Sequence, residues 1–172
     1  MTTPPSIAGI PFEAFFHRYV YELMCPDISR EVAAAHHGEN ASNFLCAIGL
    51  LTYTEVMGHF VPGAKRGSRN RFEAFFRRLG PCYAAFLDAG NNAYDLYRNG
   101  LVHQYLIKAP AAQIAMTAAG DETCGVGETN GVYYLVVERY FEDFVVACAR
   151  LHEEVVGHRH SLIHIYAPHR LP

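Results

Sequence analysis

The chain has 172 residues, of which 51% are hydrophobic and 18% charged, and its net charge is −3. This composition excludes a disordered chain. Because the net charge is slightly negative, the protein as a whole does not attract nucleic acid, and binding nucleic acid would need a local basic patch. The first residues, Met1–Pro5, lack the positively charged and then apolar segments of a signal peptide. The apolar run Phe44–Met57 contains Glu55 and is too short to span a bilayer. We therefore predict one cytoplasmic domain over residues 1–172, with no membrane contact.

The cysteines are scattered and odd in number, and none forms a Cys-x-x-Cys pair: they are Cys25, Cys46, Cys82, Cys124 and Cys148. This pattern argues against a disulfide framework or a zinc ribbon. It favours reduced thiols.

Apolar periodicity, capping residues and helix breakers predict a mainly α chain, a helical bundle over about residues 12–157 with a tail over 158–172. The predicted helices are Phe12–Met24, ended by Cys25-Pro26, then Ile28–His36, Ser42–His59, Arg69–Leu79, Tyr83–Ala89, Asn92–Gln104 and Glu138–Val156. Alternation of apolar and polar residues, together with an Asn130-Gly131 turn, predicts a small antiparallel β insertion before the last helix. Its predicted strands are Tyr105–Lys108, Gln113–Thr117 and Val132–Val137.

The helix Asn92–Gln104 carries the residues with the clearest chemistry. At about 100° per residue, one polar arc of this helix holds, in order, Arg98, Val102, Asp95, Asn99 and His103. Arg98 and His103 are predicted to lie about 140° apart, at opposite edges of the arc. Gly100 falls within about 60° of His103. Because a helix-interior glycine costs about 1 kcal/mol relative to alanine, we expect another backbone to approach there.

These side chains suit cleavage of an RNA phosphodiester. Histidine at near-neutral pH can take a proton from a 2′-hydroxyl or give one to the leaving oxygen, so His103 is a candidate acid or base. Arg98 can hold a phosphate and offset its growing charge, and Asn99 can position either group. Such an internal transesterification requires no metal or other cofactor.

The run from Arg98 to Tyr105 resembles the Arg-x4–6-His signature of the HEPN superfamily, including the polar residue directly after the arginine. With Tyr105 it takes the Arg-x4-His-x-Tyr form of HEPN toxins that pair with small nucleotidyltransferases. The resemblance implies a helical bundle, a homodimer, and metal-independent RNA cleavage by Arg98, Asn99 and His103 at a cleft shared between protomers. It also implies an antitoxin or nucleotidyltransferase partner and makes Tyr105 a candidate for nucleotidylation. The alternative is a non-catalytic HEPN-like module that binds nucleotide, RNA or a protein.

Glu55 lies on the same helical stripe as Phe44, Ile48 and Leu51. A carboxylate on an apolar stripe is rarely unpaired, and Arg98 is its natural partner. We therefore expect Glu55 to pair with Arg98, either to orient the arginine for phosphate or as a purely structural contact. Asp95, on the polar arc, is a further supporting residue.

A basic stretch precedes the motif, with six of the fourteen Lys and Arg residues in fourteen positions: Lys65, Arg66, Arg69, Arg71, Arg77 and Arg78. Phenylalanines are interleaved with them at Phe72, Phe75 and Phe76. The stretch could hold RNA backbone, through Arg66, Arg69 and Arg71 above all. The alternative is a solvated helix face whose phenylalanines belong to the core.

The C-terminal part is rich in histidine, at His152, His158, His160, His164 and His169. These residues allow a third hypothesis, a helical metalloenzyme, although the predicted helix break at Gly157 leaves no rigid His-x3-His pair and favours a tail without metal. A second Arg-x4-His-x-Tyr match at Arg159–Tyr166 follows that break and alternates like a strand. An extended segment would point residues five apart to opposite faces, so we treat this match as a coincidence.

Overall fold

Helices make up most of the structure, a computed structural model that describes residues 6–117 and 124–156. The α-helices are α1 (Phe12–Phe15), α2 (Cys25–His36), α3 (Asn43–Gly58), α4 (Ser68–Leu79), α5 (Pro81–Asp88), α6 (Gly100–Gln104) and α7 (Val137–Val156). Two segments have π-helical winding, the first at Phe16–Met24 and the second at Tyr94–Asn99. The predicted mainly α fold is confirmed. No helix in the described ranges is both long and apolar enough to cross a membrane.

One continuous helix runs from α1 through the first π segment into α2. Met24 and Cys25 both have helical dihedrals, and the Cys25 N–H bonds to the Val20 carbonyl five residues back. The predicted break at Cys25-Pro26 is therefore wrong. Pro26 stands where the π pattern gives way to the α pattern, and the wider π turn lessens the clash and the lost hydrogen bond that proline causes inside a helix.

A small sheet precedes α7, as predicted, but its strand Val126–Thr129 was not among the predicted strands. Following a two-stranded N-terminal hairpin of β1 (Ser6–Ile7) and β2 (Ile10–Pro11), its strands are β3 (Ala112–Ala115), β4 (Val126–Thr129) and β5 (Val132–Val136). β4 and β5 form an antiparallel hairpin, and the predicted Asn130-Gly131 turn has positive φ at both residues. β3 joins the other edge of β5 in parallel, so the sheet is mixed.

The predicted strand Tyr105–Lys108 is wrong. Tyr105 has left-handed dihedrals, with φ of 56°, and ends α6. The Leu106 N–H points back to the Gly100 carbonyl at 3.4 Å, and the Lys108 N–H donates to the Leu96 carbonyl at 3.0 Å. These backbone groups are therefore used in closing the helix rather than in a sheet.

Helix α3 lies at the centre of the fold, in contact with α2, α4, α6, α7, β3 and the second π segment. It approaches α4 closely at Gly58, where a Cβ atom would lie 1.8 Å from the Arg71 carbonyl oxygen. The core around it is strongly aromatic, with fully buried Phe72, Phe75, Phe76, Tyr83, Tyr140 and Phe144. The position of α3 matters for the site because Glu55 belongs to this helix.

The expectation of reduced thiols is wrong for two cysteines. A disulfide joins Cys82 in α5 to Cys124, which precedes β4, with Cα atoms 6.0 Å apart. The two residues are 42 positions apart in sequence, so their spacing gave no sign of the contact. Cys25, Cys46 and Cys148 are buried free thiols. Burial raises the pKa of Cys25 to about 12, which keeps that thiol protonated and unreactive.

The close approach at Gly58 predicts a strong effect of one methyl group. We expect Gly58→Ala to lower the free energy of unfolding by about 2–3 kcal/mol, because α3 and α4 must separate to admit it. Gly49→Ala in the same helix is the matched control, since no atom lies within 4 Å of its added Cβ. The control should be neutral or stabilising by up to about 1 kcal/mol. Urea unfolding measures both, and equal effects would contradict the packing described.

Candidate functional site

The predicted Glu55–Arg98 pair is present. Arg98 Nε lies 2.7 Å from Glu55 Oε2, and each side chain is 16% exposed. The N–H is not aligned well enough for a hydrogen bond, so the contact is an attraction between charges. The guanidinium also lies over the Tyr94 ring, 5.5 Å from its centroid. Arg98 is thus held by α3 on one side and by an aromatic ring of its own segment on the other.

Arg98 also contacts His103. Its NH1 atom lies 3.1 Å from His103 Nε2, and His103 is exposed. Because a guanidinium has only donors, Nε2 is the acceptor in this contact. The site therefore presents a fixed cation beside an exposed imidazole.

The contact between Arg98 and His103 corrects their predicted placement at opposite edges of the helix. A uniform α-helix would set them about 140° apart. A π turn is wider than an α turn and rotates less per residue, and Arg98 belongs to the second π segment. This winding reduces the angle between Arg98 and His103, and the long Arg98 side chain spans the rest to reach His103.

Gly100 has the role predicted for it. A Cβ atom there would lie 2.3 Å from the Leu106 carbonyl oxygen and 3.1 Å from the Lys108 nitrogen. The chain that follows α6 thus folds back over the helix where the side chain is missing. This return places Tyr105 and Leu106 beside His103.

Asp95 organises the polar neighbours of Arg98. Its Oδ1 accepts a hydrogen bond from Asn99 Nδ2 at 2.9 Å, and Oδ2 accepts from Asn92 at 2.7 Å and pairs with Arg69. Partial burial raises the pKa of Asp95, but the hydrogen bonds from Asn99, Arg69 and Asn92 outweigh it and lower the pKa below its ordinary value. Asn99 turns its oxygen towards Arg98 NH1, 3.4 Å away. Sequence analysis missed Asn92, which lies outside the motif.

Tyr105 is exposed, with 69% of its surface accessible. Its ring stacks on Phe44 of α3 at 6.1 Å between centroids and 10° between planes. Together with Leu106, which is 49% exposed, these rings line a shallow depression of about 500 Å³. An aromatic and apolar surface thus adjoins the polar site.

The basic stretch divides into two groups. Arg77 and Arg78 are ion-paired with Asp88 and Glu154, and the interleaved phenylalanines are fully buried, so they cannot stack on bases. Arg66 is exposed and Arg71 half-buried, with no ion pair to a described residue. Arg69 is the one of the three predicted RNA contacts that reaches the site, through Asp95 and at 5.8 Å from the Tyr94 ring.

The C-terminal histidines fall mostly beyond the described ranges, which end at residue 156. The second motif match at Arg159–Tyr166 also lies outside them. His152 is described, and it is buried against the N-terminal helix beside Glu13 and His17. Sequence analysis missed this grouping, because 135 or more residues separate His152 from both partners.

No protein-family model, curated protein or solved structure matches the chain. The resemblance to the HEPN superfamily rests on the residues Arg98–Tyr105.

The buried ion pair predicts a specific pattern of stabilities. Arg98→Met should lower the free energy of unfolding by about 3 kcal/mol, because it leaves the Glu55 charge buried and unpaired. Adding Glu55→Leu should recover a large part of that loss. Arg30→Met is the control, since Arg30 pairs with Asp27 on the surface, where ion pairs contribute about 0–1 kcal/mol. Chemical unfolding measures the wild type, the two single site variants, the double variant and the control, and simple additivity of the two site substitutions would contradict the pairing.

Proposed function

We propose that this chain is a HEPN-type endoribonuclease that cleaves RNA by transesterification, without metal, at Arg98 and His103. The observation that carries the proposal is the 3.1 Å contact between a partly buried, anchored arginine and an exposed histidine. A purely structural arginine would need only Glu55. A second contact to a solvent-facing imidazole puts a phosphate-binding group and a proton-transfer group within reach of one phosphodiester.

In the proposed reaction Arg98 Nη1 turns from His103 Nε2 to the phosphate, and Nε2, whose lone pair is then free, accepts the proton of an RNA 2′-hydroxyl. The 2′-oxygen then forms a bond to phosphorus, the bond from phosphorus to the 5′-oxygen breaks, and a 2′,3′-cyclic phosphate remains. The departing 5′-oxygen takes a proton from a second acid, for which His103 of a second protomer is the proposed donor. Arg98 offsets the charge that builds on the phosphoryl oxygens.

Glu55 and Asn99 act in this proposal as positioning residues for Arg98. Glu55 engages Nε, which turns the NH1 edge of the guanidinium towards His103. The Asn99 side-chain oxygen accepts a hydrogen bond from Arg98 Nη1, and Asp95 holds the Asn99 amide in place by accepting a hydrogen bond from it. The arginine therefore needs little reorganisation to meet a phosphate.

The RNA backbone is proposed to reach the site along the start of α4. Arg66 and Arg71 are basic residues without an ion pair to the described residues, and Arg69 connects this surface to Asp95. Phosphate contacts of this kind position a strand without selecting its sequence. The phenylalanines of α4 take no part, because they are buried.

A homodimer is part of the proposal because one protomer supplies a single histidine to the polar arc. The exposed side chains of Tyr105 and Leu106 adjoin His103 and provide apolar area for such a contact. An antitoxin or nucleotidyltransferase would compete for this surface, and the exposed Tyr105 is the proposed position for nucleotidylation.

The second candidate is a non-catalytic module that binds nucleotide, RNA or a protein partner. It is favoured by one observation, the neutralisation of the Arg98 charge by Glu55, which weakens its attraction for a phosphate. In that case His103 would serve as a hydrogen-bond donor to the ligand. RNA cleavage separates the two candidates.

The proposal places the protein in the cytoplasm, where thiols are kept reduced. The Cys82–Cys124 bond joins α5 to the segment before β4, and the motif lies in the loop between the two cysteines without contributing to the bond. Cleavage should proceed in the presence of a thiol reductant, which every cleavage assay therefore contains.

The proposed mechanism predicts the effect of removing His103. The wild-type protein should cleave single-stranded RNA in EDTA and leave 2′,3′-cyclic phosphate ends. His103→Ala should slow cleavage on the order of 10²–10⁴-fold, because proton transfer is lost. Its thermal stability should change little, within about 0.5 kcal/mol, since the side chain is exposed.

His37→Ala is the matched control, because His37 is also exposed and lies in the turn after α2, away from the motif. It should cleave RNA at the wild-type rate. A broad RNA panel left intact by the wild-type protein, or unfolding of His103→Ala, would replace the enzyme hypothesis with the binding-module hypothesis.

If the proposed dimer forms through Leu106, a charge at Leu106 should weaken self-association more than a charge at the equally exposed Leu23. Leu106→Glu should weaken self-association by at least about tenfold and reduce cleavage at low protein concentration, because it puts a charge in the apolar contact. Leu23→Glu is the control, since Leu23 is 50% exposed against 49% for Leu106. Analytical ultracentrifugation measures both. Dissociation by Leu23→Glu with an intact Leu106→Glu dimer would place the interface elsewhere.

A further inference from the structure

A second cluster of ionisable side chains lies away from Arg98. Glu13 in α1, His17 in the first π segment and His152 in α7 each place one donor atom within 4.8 Å of the other two. Glu13 and His17 are four positions apart on one continuous helix, so they share a face, and His152 approaches that face from α7. The cluster thus joins the N-terminal helix to the last described helix.

His152 is the residue whose environment most needs an explanation. It is 5% exposed, and neither ring nitrogen has a hydrogen-bond partner among the described residues. Thr54, the other buried polar side chain in the described ranges, has partners in the Leu50 carbonyl and the Tyr140 hydroxyl. Buried polar groups are almost always hydrogen-bonded or bound to an ion.

The surroundings of His152 are strongly aromatic. Phe12 stacks against the imidazole at 5.9 Å and Phe16 lies at 5.4 Å, while the His17 ring meets it edge-on at 6.4 Å. Aromatic rings therefore cover the imidazole where it faces the core. Its charged or ionisable neighbours are Glu13, His17 and Glu153, and of these Glu13 and His17 are exposed on the N-terminal helix.

The spacing of the three donors suits an ion between them. Within the described part of the chain, no hydrogen bond or ion pair joins Glu13, His17 and His152, although all three donor atoms lie within 4.8 Å. Tetrahedral zinc with ligand bonds of about 2.0–2.1 Å holds its ligand atoms about 3.4 Å apart. The exposed side chains of Glu13 and His17 can close the remaining distance by rotation.

We propose that Glu13, His17 and His152 form a binding site for a divalent transition-metal ion such as Zn²⁺. Two imidazoles and one carboxylate are a ligand set that zinc uses in proteins, with a fourth position taken by water. The ion would satisfy one nitrogen of the buried His152 and fasten the N-terminal helix to α7. It would act on the stability of the fold and take no part in the RNA cleavage proposed above, which is assayed in EDTA.

The test uses the full chain without an affinity tag, stripped with EDTA, dialysed and titrated with Zn²⁺ by calorimetry. We expect one ion per chain at this site and a rise in Tm of about 5–10 °C at a free Zn²⁺ concentration about 100 times Kd. His17→Ala and Glu13→Gln should each weaken binding by at least about tenfold and reduce the rise in Tm. Both replaced side chains are exposed, so the variants should fold without metal.

The other C-terminal histidines require their own control, because they too could bind Zn²⁺. All measurements are repeated in a chain with His158, His160, His164 and His169 each replaced by Asn. One ion bound in this background, and lost on adding His17→Ala, supports the site. No saturable binding in this background, or binding that His17→Ala and Glu13→Gln leave unchanged, overturns it.

Discussion

The ion pair between Arg98 and Glu55 constrains the rest of the site. It joins α3, the helix at the centre of the fold, to the second π segment, and both side chains are largely shielded from water. Two shielded charges are tolerated only when they remain in contact, so the pair fixes the position of the π segment against α3. The same contact sets the orientation of the guanidinium, and with it the side of Arg98 that faces His103.

The winding of the second π segment is the other condition for the site. In a regular α-helix Arg98 and His103 would lie about 140° apart, at opposite edges of the polar arc. The π-helical turn changes the angular spacing, and Gly100 then lets the following chain return over α6. A rare winding and a helix-interior glycine both carry a cost in stability. Their occurrence together at this motif supports a functional use of the arc rather than a solvated helix face.

The parts that could be predicted from sequence are those that depend on local pattern or on the cost of burying a charge. The apolar stripe of α3 placed Glu55 against the core, and this led to its partner Arg98. The Asn130-Gly131 turn and the strand that follows it were predicted, but β4 was not, because it lies in a glycine-rich stretch without a clear alternating pattern. Features that depend on the path of the whole chain could not be predicted in this way. Helical continuity past Pro26, the Cys82–Cys124 bond and the approach of His152 to Glu13 all require tertiary contacts or a π winding that residue periodicity does not reveal.

The proposed mechanism requires a 2′-hydroxyl to attack the phosphate that Arg98 binds, while His103 accepts the proton. It is tested most directly with one RNA oligonucleotide and its matched copy that lacks the single 2′-hydroxyl next to the scissile phosphate. Both are incubated with the protein in EDTA and reductant, and binding and cleavage are measured separately. The account predicts that both oligonucleotides bind with similar affinity and that only the complete RNA is cut at that bond. Cleavage of both at the same bond would mean that water or another group is the nucleophile, and would contradict the account.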